Sequence, residues 1–350
     1  MNLMQFLNQK MKRILKRTLL TIIILGGLIF LAFKLSPYPS VWIIRYAFNK
    51  EAIRVNKELE KYVPANIETI SNVHYDKDDQ NAYLDTYFDK YAVKSKNRLP
   101  IIVWTHGGGL ISGDKNQLSN YCKILASKGY VVFSIGYTIA PEAKYPTPIQ
   151  QLNKALAFIS SNSDQFNADN SFFILAGDSA GSMISATTAN IITSPKYAQL
   201  TEVEPGLNST QLKGLLLYCG IYEIDNLKVE GAFGSFLRTV AWAYFDKKDI
   251  SNDEYAKSAS VTNFLTNSFP PTFISAGNKD PLLPQSRLLA EKLSALEVPI
   301  DTLFFSDNYE PALEHEYQFT LNEEGKLALE RSIKFIKSLS ATSAPNYDFN

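Results

Sequence analysis

The stretch Gly177-Asp178-Ser179-Ala180-Gly181 decides the predicted fold. It follows an apolar run, Phe172 to Ala176, and precedes a helix-compatible run, Ser182 to Ile192, so it lies at a strand-to-helix corner. The flanking Gly177 and Gly181 permit a turn too tight for side chains, and such a turn exposes the central serine above a sheet. This pattern predicts a nucleophile elbow around Ser179; a serine that only caps the following helix is the alternative.

A second glycine-rich stretch, His106-Gly107-Gly108-Gly109, lies upstream after the apolar strand Leu99 to Trp104. Successive glycines can turn their backbone N–H groups toward an oxygen that develops negative charge. A flexible loop is the alternative for these glycines. We expect His106 to orient the motif and not to act as a base. Together the two motifs indicate acyl transfer.

The three histidines of the chain are His74, His106 and His315. A serine hydroxyl needs an adjacent base, which is most often an imidazole. His74 lies in a predicted early strand, whereas His315 follows the late strand Asp301 to Phe305. His315 alone fits the chain order serine, acid, histidine.

The acid that would orient this imidazole is predicted to be Asp280, which comes directly after the apolar strand Thr272 to Ala276. Asp307 and Glu314 lie close before His315 and are the alternatives. Asp178, inside the elbow, is interpreted as a turn residue, and a special electrostatic role is the alternative.

With these motifs the sequence resembles the hormone-sensitive lipase family of α/β-hydrolases, esterases and lipases with a His-Gly-Gly-Gly motif. The segments Tyr137 to Pro146, Asp280-Pro281-Leu282 and His315-Glu316-Tyr317 resemble further family motifs. The likeness covers most of the chain after its N-terminal segment. It implies an α/β-hydrolase fold with a helical cap, and ester hydrolysis through an acyl-enzyme.

The resemblance also implies roles for single residues. Ser179 would be the nucleophile, Asp280 the acid and His315 the base. The oxyanion hole would be formed by the N–H groups of Gly107, Gly108 and Ala180, with support from His106, Gly109, Gly177 and Gly181. Three positions depart from the family pattern: Ser182, Pro284 and Tyr317.

From Leu99 to Leu303, apolar strand-like runs alternate with helical stretches, which is typical of a mostly parallel sheet with helices on both faces. An antiparallel hairpin, Ile67 to Tyr75 and Ala82 to Phe88, is predicted to open the sheet. The parallel strands are predicted at Leu99 to Thr105, Tyr130 to Tyr137, Ser171 to Gly177, Leu212 to Tyr218, Thr272 to Ala276 and Asp301 to Phe305. The site residues then follow the C-terminal ends of strands, where open α/β sheets bind ligands.

The N-terminus carries an uncharged, mostly apolar run, Thr18 to Phe33, after five basic residues and no acidic one. Such a run spans about 24 Å, short of a bilayer core of about 30 Å, but the flanking Arg17 and Lys34 can snorkel. We expect residues 18–35 to be an uncleaved signal anchor, with residues 1–17 cytoplasmic and the catalytic domain outside. A cleaved signal peptide and a secreted protein are the alternative.

The remaining chain is interpreted as a helical segment at 36–65, a catalytic domain at 66–339 with a cap insertion at about 222–260, and a flexible tail at 340–350. Amphipathic or apolar helices are predicted at Ser40 to Tyr62 and Ala232 to Phe245. By resemblance their aromatic residues would line the substrate pocket, including Phe233, Phe236, Trp242 and Tyr244. Core packing is the alternative for each, and Trp42 and Tyr46 could instead lie in a membrane interface.

Composition excludes several other classes. The 35 basic and 35 acidic side chains give zero formal net charge, so we expect no nucleic-acid partner. Cys122 and Cys219 form no disulfide framework and have no metal-ligand neighbours in sequence, so neither a metal nor a cofactor is expected. The expected partners are an ester substrate and a membrane, and the oligomeric state stays open. Amide or peptide cleavage, acyl transfer, or ligand binding without catalysis are the alternative functions.

Overall fold

The structure is a computed structural model that describes residues 3–94, 98–225 and 231–342. Two helices open the chain, α1 (Leu3–Leu35) and α2 (Tyr38–Leu59), and only Ser36 and Pro37 separate them. Proline lies in the first turn of α2, where its missing N–H costs no helical hydrogen bond.

An eight-stranded sheet follows, in the spatial order β1-β2-β4-β3-β5-β6-β7-β8. The antiparallel strands β1 and β2 open it, β2 pairs antiparallel with β4, and every later pair is parallel. The strands are β1 (Ile67–His74), β2 (Tyr83–Asp89), β3 (Leu99–Thr105), β4 (Val131–Ile135), β5 (Ala168–Asp178), β6 (Leu212–Tyr218), β7 (Thr272–Ala276) and β8 (Ile300–Phe304).

Helices cover both faces of this sheet, because its central strands are apolar on both sides. Ile101 and Val103 pack into one core cluster, and Ile102 and Trp104 pack into the other, as the two-residue period of a strand requires. The remaining helices are α3 (Ser119–Ala126), α4 (Thr147–Asn162), α5 (Ala180–Thr193), α6 (Pro195–Thr201), α7 (Gly231–Phe245), α8 (Glu254–Lys257), α9 (Leu283–Ala295) and α10 (Glu323–Thr342).

The predicted mostly parallel sheet and its opening hairpin are confirmed. The strands Leu212–Tyr218 and Thr272–Ala276 have the predicted ends, whereas Ala168–Asp178 begins three residues earlier than predicted. The predicted tail at 340–350 begins within α10, and its residues 343–350 lie outside the described part of the chain.

The apolar N-terminal run belongs to one long helix. Its portion Leu7–Leu35 has 29 residues and a mean hydropathy of 2.3, and its most apolar window is not buried against the rest of the chain. At 1.5 Å per residue this length exceeds the roughly 30 Å core of a bilayer. The helix is compatible with either an anchor or a signal sequence.

Helix α2 is packed firmly on the domain that follows. Val41 and Leu59 are buried in its two core clusters. Arg45 donates from Nε to Ile111 O at 2.6 Å and from Nη2 to Ala140 O at 2.8 Å, and it pairs with Glu142. These contacts fix α2 on the loops after β3 and β4, close to the C-terminal edge of the sheet.

Candidate active site

Ser179 occupies the corner between β5 and α5. Its φ of 50° and ψ of −117° are rare for a residue with a side chain, and such strain is typical of functional sites. A Cβ on Gly181 would lie 1.9 Å from Thr105 O, and one on Gly177 would lie 2.5 Å from the Gly181 carbonyl carbon. Glycine is therefore required at both ends of this turn.

Ser182, one of the departures from the family pattern, supports the same turn. Its Oγ lies 2.7 Å from Gly177 O and 2.8 Å from Tyr218 O, so the hydroxyl links the ends of β5 and β6. Tyr317, another departure, bonds through its hydroxyl to Ser275 Oγ at 2.8 Å. Pro284 lies in the first turn of α9, which accepts proline.

His315 and Asp280 meet at the carboxyl edge of the sheet. His315 Nδ1 lies 3.0 Å from both Asp280 Oδ1 and Oδ2, and Leu282 N donates to Oδ1 at 2.7 Å. The Asp280 side chain is fully buried, whereas that of His315 is 32% exposed. Of the alternative acids, Asp307 pairs with Arg287 instead. The structure thus brings Asp280 to the imidazole.

Ser179 and His315 line one cavity of about 730 Å³, together with Ala180, Gly107 and Gly108. In the described part of the chain, no hydrogen bond joins Ser179 Oγ to His315. Catalytic hydrogen bonds are often long in enzymes without substrate and shorten in the reacting complex. The arrangement places a serine hydroxyl and an oriented imidazole at the same opening.

Two opposing effects act on the His315 imidazole. Burial lowers its pKa, but the adjacent Cys219 sulfur and the hydrogen-bonded Asp280 carboxylate raise it, with a further contribution from Glu316, and the net direction is upward. The Cys219 thiol also lies here, since its Sγ, an Asp280 oxygen and a His315 nitrogen are all within 4.8 Å of one another. Burial raises the pKa of Cys219 to about 12, so this thiol is neutral near pH 7. This neighbour could not be predicted from the sequence, because the three residues are far apart in the chain.

The predicted role of Gly107 in the oxyanion hole disagrees with the structure. The Gly107 N–H donates to Asp178 Oδ2 at 2.9 Å, so it already has an acceptor. Gly108 and Gly109 have positive φ angles of 97° and 61°, and neither N–H has an acceptor among the described residues. Ala180 is the first residue of α5, so its N–H has no acceptor within the helix. The N–H groups that remain for an oxyanion are those of Gly108, Gly109 and Ala180.

Asp178 does more than complete a turn. Besides the Gly107 N–H it accepts the Trp104 indole N–H at 2.9 Å, so its carboxyl group joins the elbow, β3 and the glycine loop. Burial raises its pKa well above the usual range, and the nearby Glu316 carboxylate adds to the rise. A Cβ on Gly107 would lie 2.3 Å from Asp178 Oδ2, which explains the glycine there.

The other two histidines, His106 and His74, lie in other segments of the fold than His315. His106 is buried and stacks on Tyr137 with ring centroids 4.2 Å apart, and its Nδ1 lies 2.9 Å from Gly107 O. Burial lowers its pKa to about 4, so it is neutral, as suits an orienting group. His74 lies in β1 beside Asp79 O and Tyr83.

The predicted pocket aromatics divide into two groups. Phe233 and Phe236 line the cavity, whereas Trp242 and Tyr244 do not. The Trp242 ring faces Lys248 Nζ at 4.2 Å, and Tyr244 is buried against Tyr145. The residues of α2 that line the cavity were not identified from the sequence. These are Ile44, Phe48, Glu51, Ala52 and Val55.

Comparisons with known proteins agree with this architecture. Residues 84–293, more than half of the chain, match the family described as BD-FAE. The chain is 26% identical to an acetyl esterase of Salmonella choleraesuis (strain SC-B67) over 253 residues, 69% of this chain and 73% of that protein.

Two solved esterases have the same fold. Esterase B from Lactobacillus rhamnosis (HN001) superposes with a TM-score of 0.74 at 23% identity, over 87% of this chain and 96% of that one. An esterase from Pyrobaculum calidifontis gives a TM-score of 0.66 at 23% identity, over 86% and 94%. The predicted α/β-hydrolase fold is confirmed.

We predict that Asp178→Ala destabilises the protein and lowers kcat more than it changes KM. The change leaves the buried Gly107 and Trp104 N–H groups without an acceptor, at a cost of about 1–3 kcal/mol each. Asp178→Asn keeps one acceptor oxygen, so it should lose less stability and less kcat than Asp178→Ala. Urea unfolding and ester kinetics measure the two effects. If both variants matched the unmodified protein in stability and in kcat, Asp178 would not be the residue that positions the glycine loop.

Proposed function

Because this chain belongs to the BD-FAE family of α/β-hydrolase esterases, we propose that it hydrolyses carboxylic esters through Ser179, Asp280 and His315. One observation carries the proposal. His315 Nδ1 is hydrogen-bonded to the buried Asp280 carboxylate, and Nε2, which lies 3.7 Å from Glu316 Oε1, is then the ring nitrogen that can serve the cavity that Ser179 also lines. The similarity to an acetyl esterase supports an ester as the substrate.

The first half of the reaction forms an acyl-enzyme. His315 Nε2 removes the proton of Ser179 Oγ as this oxygen attacks the ester carbonyl carbon. The resulting imidazolium is stabilised by Asp280, and it then protonates the departing alcohol. The acyl group remains on Ser179 Oγ.

Water completes the cycle. His315 takes a proton from a water molecule that attacks the acyl-enzyme, and then returns it to Ser179 as the carboxylic acid leaves. In both halves the carbonyl oxygen becomes negatively charged. The N–H groups of Gly108, Gly109 and Ala180 would hold this charge, and loss of one such donor costs roughly 10²–10³ in turnover.

The acyl group would lie between α2 and α7. Phe48 of α2 and Phe236 of α7 are in contact, with ring centroids 5.6 Å apart, and both line the cavity. The lining is largely apolar, with Ile221, Ile224, Leu237 and Val240 among its members. Such a surface binds hydrocarbon well and binds charged groups weakly.

The N-terminal helix suggests where this activity takes place. We propose that α1 is an uncleaved anchor, with residues 1–17 in the cytoplasm and the catalytic domain outside. Five basic residues precede the apolar run, and cytoplasmic flanks of membrane spans are enriched in Lys and Arg. Helices α2 and α7, from the predicted segments 36–65 and 222–260, would form the cap.

We predict that Ser179→Ala and His315→Ala each lower kcat on nitrophenyl esters by roughly 10⁴-fold or more, since each removes a group that acts in both half-reactions. The fold should persist, because neither side chain supports the core. His74→Ala is the matched control and should retain activity, because His74 lies in β1 outside the cavity lining. Turnover by Ser179→Ala comparable to that of the unmodified protein would refute the assignment.

We also predict an acidic limb in the pH profile of kcat/KM. The base must be neutral, so activity falls as pH drops through the His315 pKa, which lies above the ordinary 6.5. Asp280→Asn removes one of the groups that raise this pKa, so the acidic limb of this variant should move to lower pH. Steady-state kinetics across pH measure both. An unmoved limb in Asp280→Asn would contradict the pairing.

A further inference from the structure

Helix α2 has two apolar faces. Its inner face lines the cavity through Ile44, Phe48 and Val55. Its outer face carries side chains that are largely exposed: Trp42 at 62%, Ile43 at 62%, Tyr46 at 75% and Ile53 at 67%. At 100° per residue, Trp42, Tyr46 and Ile53 lie on the opposite side of the helix from the cavity-lining residues.

The outer face cannot turn inward, because the inner face is tied to the domain. Val41 is fully buried, and Arg45 donates to the backbone of both Ile111 and Ala140. Farther along, Asn120 N donates to Asn56 Oδ1 at 2.9 Å. The exposure of Trp42 and Tyr46 is therefore a fixed property of the packed domain.

The same face adjoins the end of the apolar helix α1. Only Ser36 and Pro37 separate Leu35 from α2, and the rings of Tyr38 and Trp42 lie 6.1 Å apart. The segment that follows α7, the other cap helix, also reaches the end of α1, since Lys248 Nζ donates to Lys34 O at 2.5 Å. Trp242 lies beside this lysine. Tryptophan, tyrosine and lysine together are typical of the membrane–water interface.

We propose that the outer face of α2, formed by Trp42, Ile43, Tyr46 and Ile53, rests in the interface of the lipid bilayer that α1 spans. The cavity then lies on the other side of this helix, close to the bilayer surface, and its substrates are amphiphilic esters supplied by the lipid. This part rests on the ester hydrolysis proposed above. An apolar face continuous with a span of 29 residues has the bilayer as its neighbour.

Phe48 locates the mouth of the cavity. It lines the cavity, contacts Phe236 of α7 and is itself 39% exposed, so the opening lies where the two cap helices meet. A volume of about 730 Å³ is in the range of pockets for drug-sized molecules and exceeds what an acetyl group fills. The cavity therefore has room for a long acyl chain.

Fluorescence quenching in vesicles tests the position of α2. The full chain with Tyr46→Cys is labelled with a small fluorophore and reconstituted in phosphatidylcholine vesicles that contain brominated acyl chains. The native Cys122 and Cys219 are buried and should not react. We expect strong quenching by the brominated lipid.

Tyr91→Cys provides the matched control. Tyr91 is also well exposed, at 66%, but it follows β2 at the edge of the sheet opposite Ser179. We expect no quenching there. Equal quenching at both positions, or no quenching at Tyr46→Cys, would overturn the proposal. No quenching at Tyr46→Cys is the result expected if a second copy of the chain, and not lipid, covers this face.

Kinetics test the substrate class separately. The variant Trp42→Ser/Ile43→Ser/Tyr46→Ser should hydrolyse a long-chain ester held in vesicles roughly tenfold more slowly, because interfacial binding scales with buried apolar area. It should hydrolyse a water-soluble nitrophenyl ester at a rate within about twofold of the unmodified chain, since none of the three residues lines the cavity. Tyr91→Ser should affect neither rate.

Equal losses on the two esters would overturn the membrane proposal, because the outer face would then serve only the fold. Failure of the unmodified chain to hydrolyse either ester would instead refute the proposed function. The quenching result would still stand in that case, so the two failures are distinguishable.

Discussion

The close contact between the start of α5 and the end of β3 is the constraint on which the candidate site depends. A Cβ on Gly181 would lie only 1.9 Å from Thr105 O, so the helix can approach the strand this closely only with glycine. The contact holds Ser179 at a positive φ above the sheet edge, and it brings the elbow beside the glycine loop that follows β3. Asp178 then joins the two through the Gly107 and Trp104 N–H groups. The proposed nucleophile and the proposed oxyanion donors are thus positioned by one small group of contacts.

Much of this could be predicted from sequence because the signals are local. Unbroken apolar runs such as Leu212–Tyr218 indicate buried parallel strands, and the scarcity of histidine points to His315. The direction of a single N–H is not a local property, so the role expected of Gly107 depended on a partner, Asp178, that only the fold brings near. The error over Trp242 and Tyr244 has a different cause. Phe233, Phe236, Leu237 and Val240 follow the helical spacing of one face, and Trp242 lies on the opposite side of the helix. Tyr244 continues the same face, but it lies in the last turn of α7 and packs against Tyr145 instead of the cavity.

Helix α2 connects the two informative regions of the chain. Arg45 and Val41 fix it to the catalytic domain, its inner face forms a wall of the cavity, and its first residues follow the apolar helix α1 directly. A helix with these three connections fixes the orientation of the cavity relative to α1. In the proposed arrangement the anchor therefore does more than retain the enzyme at the membrane, because it also holds the cavity close to the lipid surface.

Covalent labelling with a nitrophenyl alkylphosphonate tests the central claim most directly. The phosphorus atom should bond to Ser179 Oγ with release of nitrophenol, which mimics acylation but stops before hydrolysis. Intact-mass analysis of the full chain should show one added alkylphosphonyl group, and peptide mapping should place it on Ser179. Ser179→Ala should acquire no adduct. An adduct on another residue, or one that persists in Ser179→Ala, would contradict the assignment of Ser179 as the nucleophile.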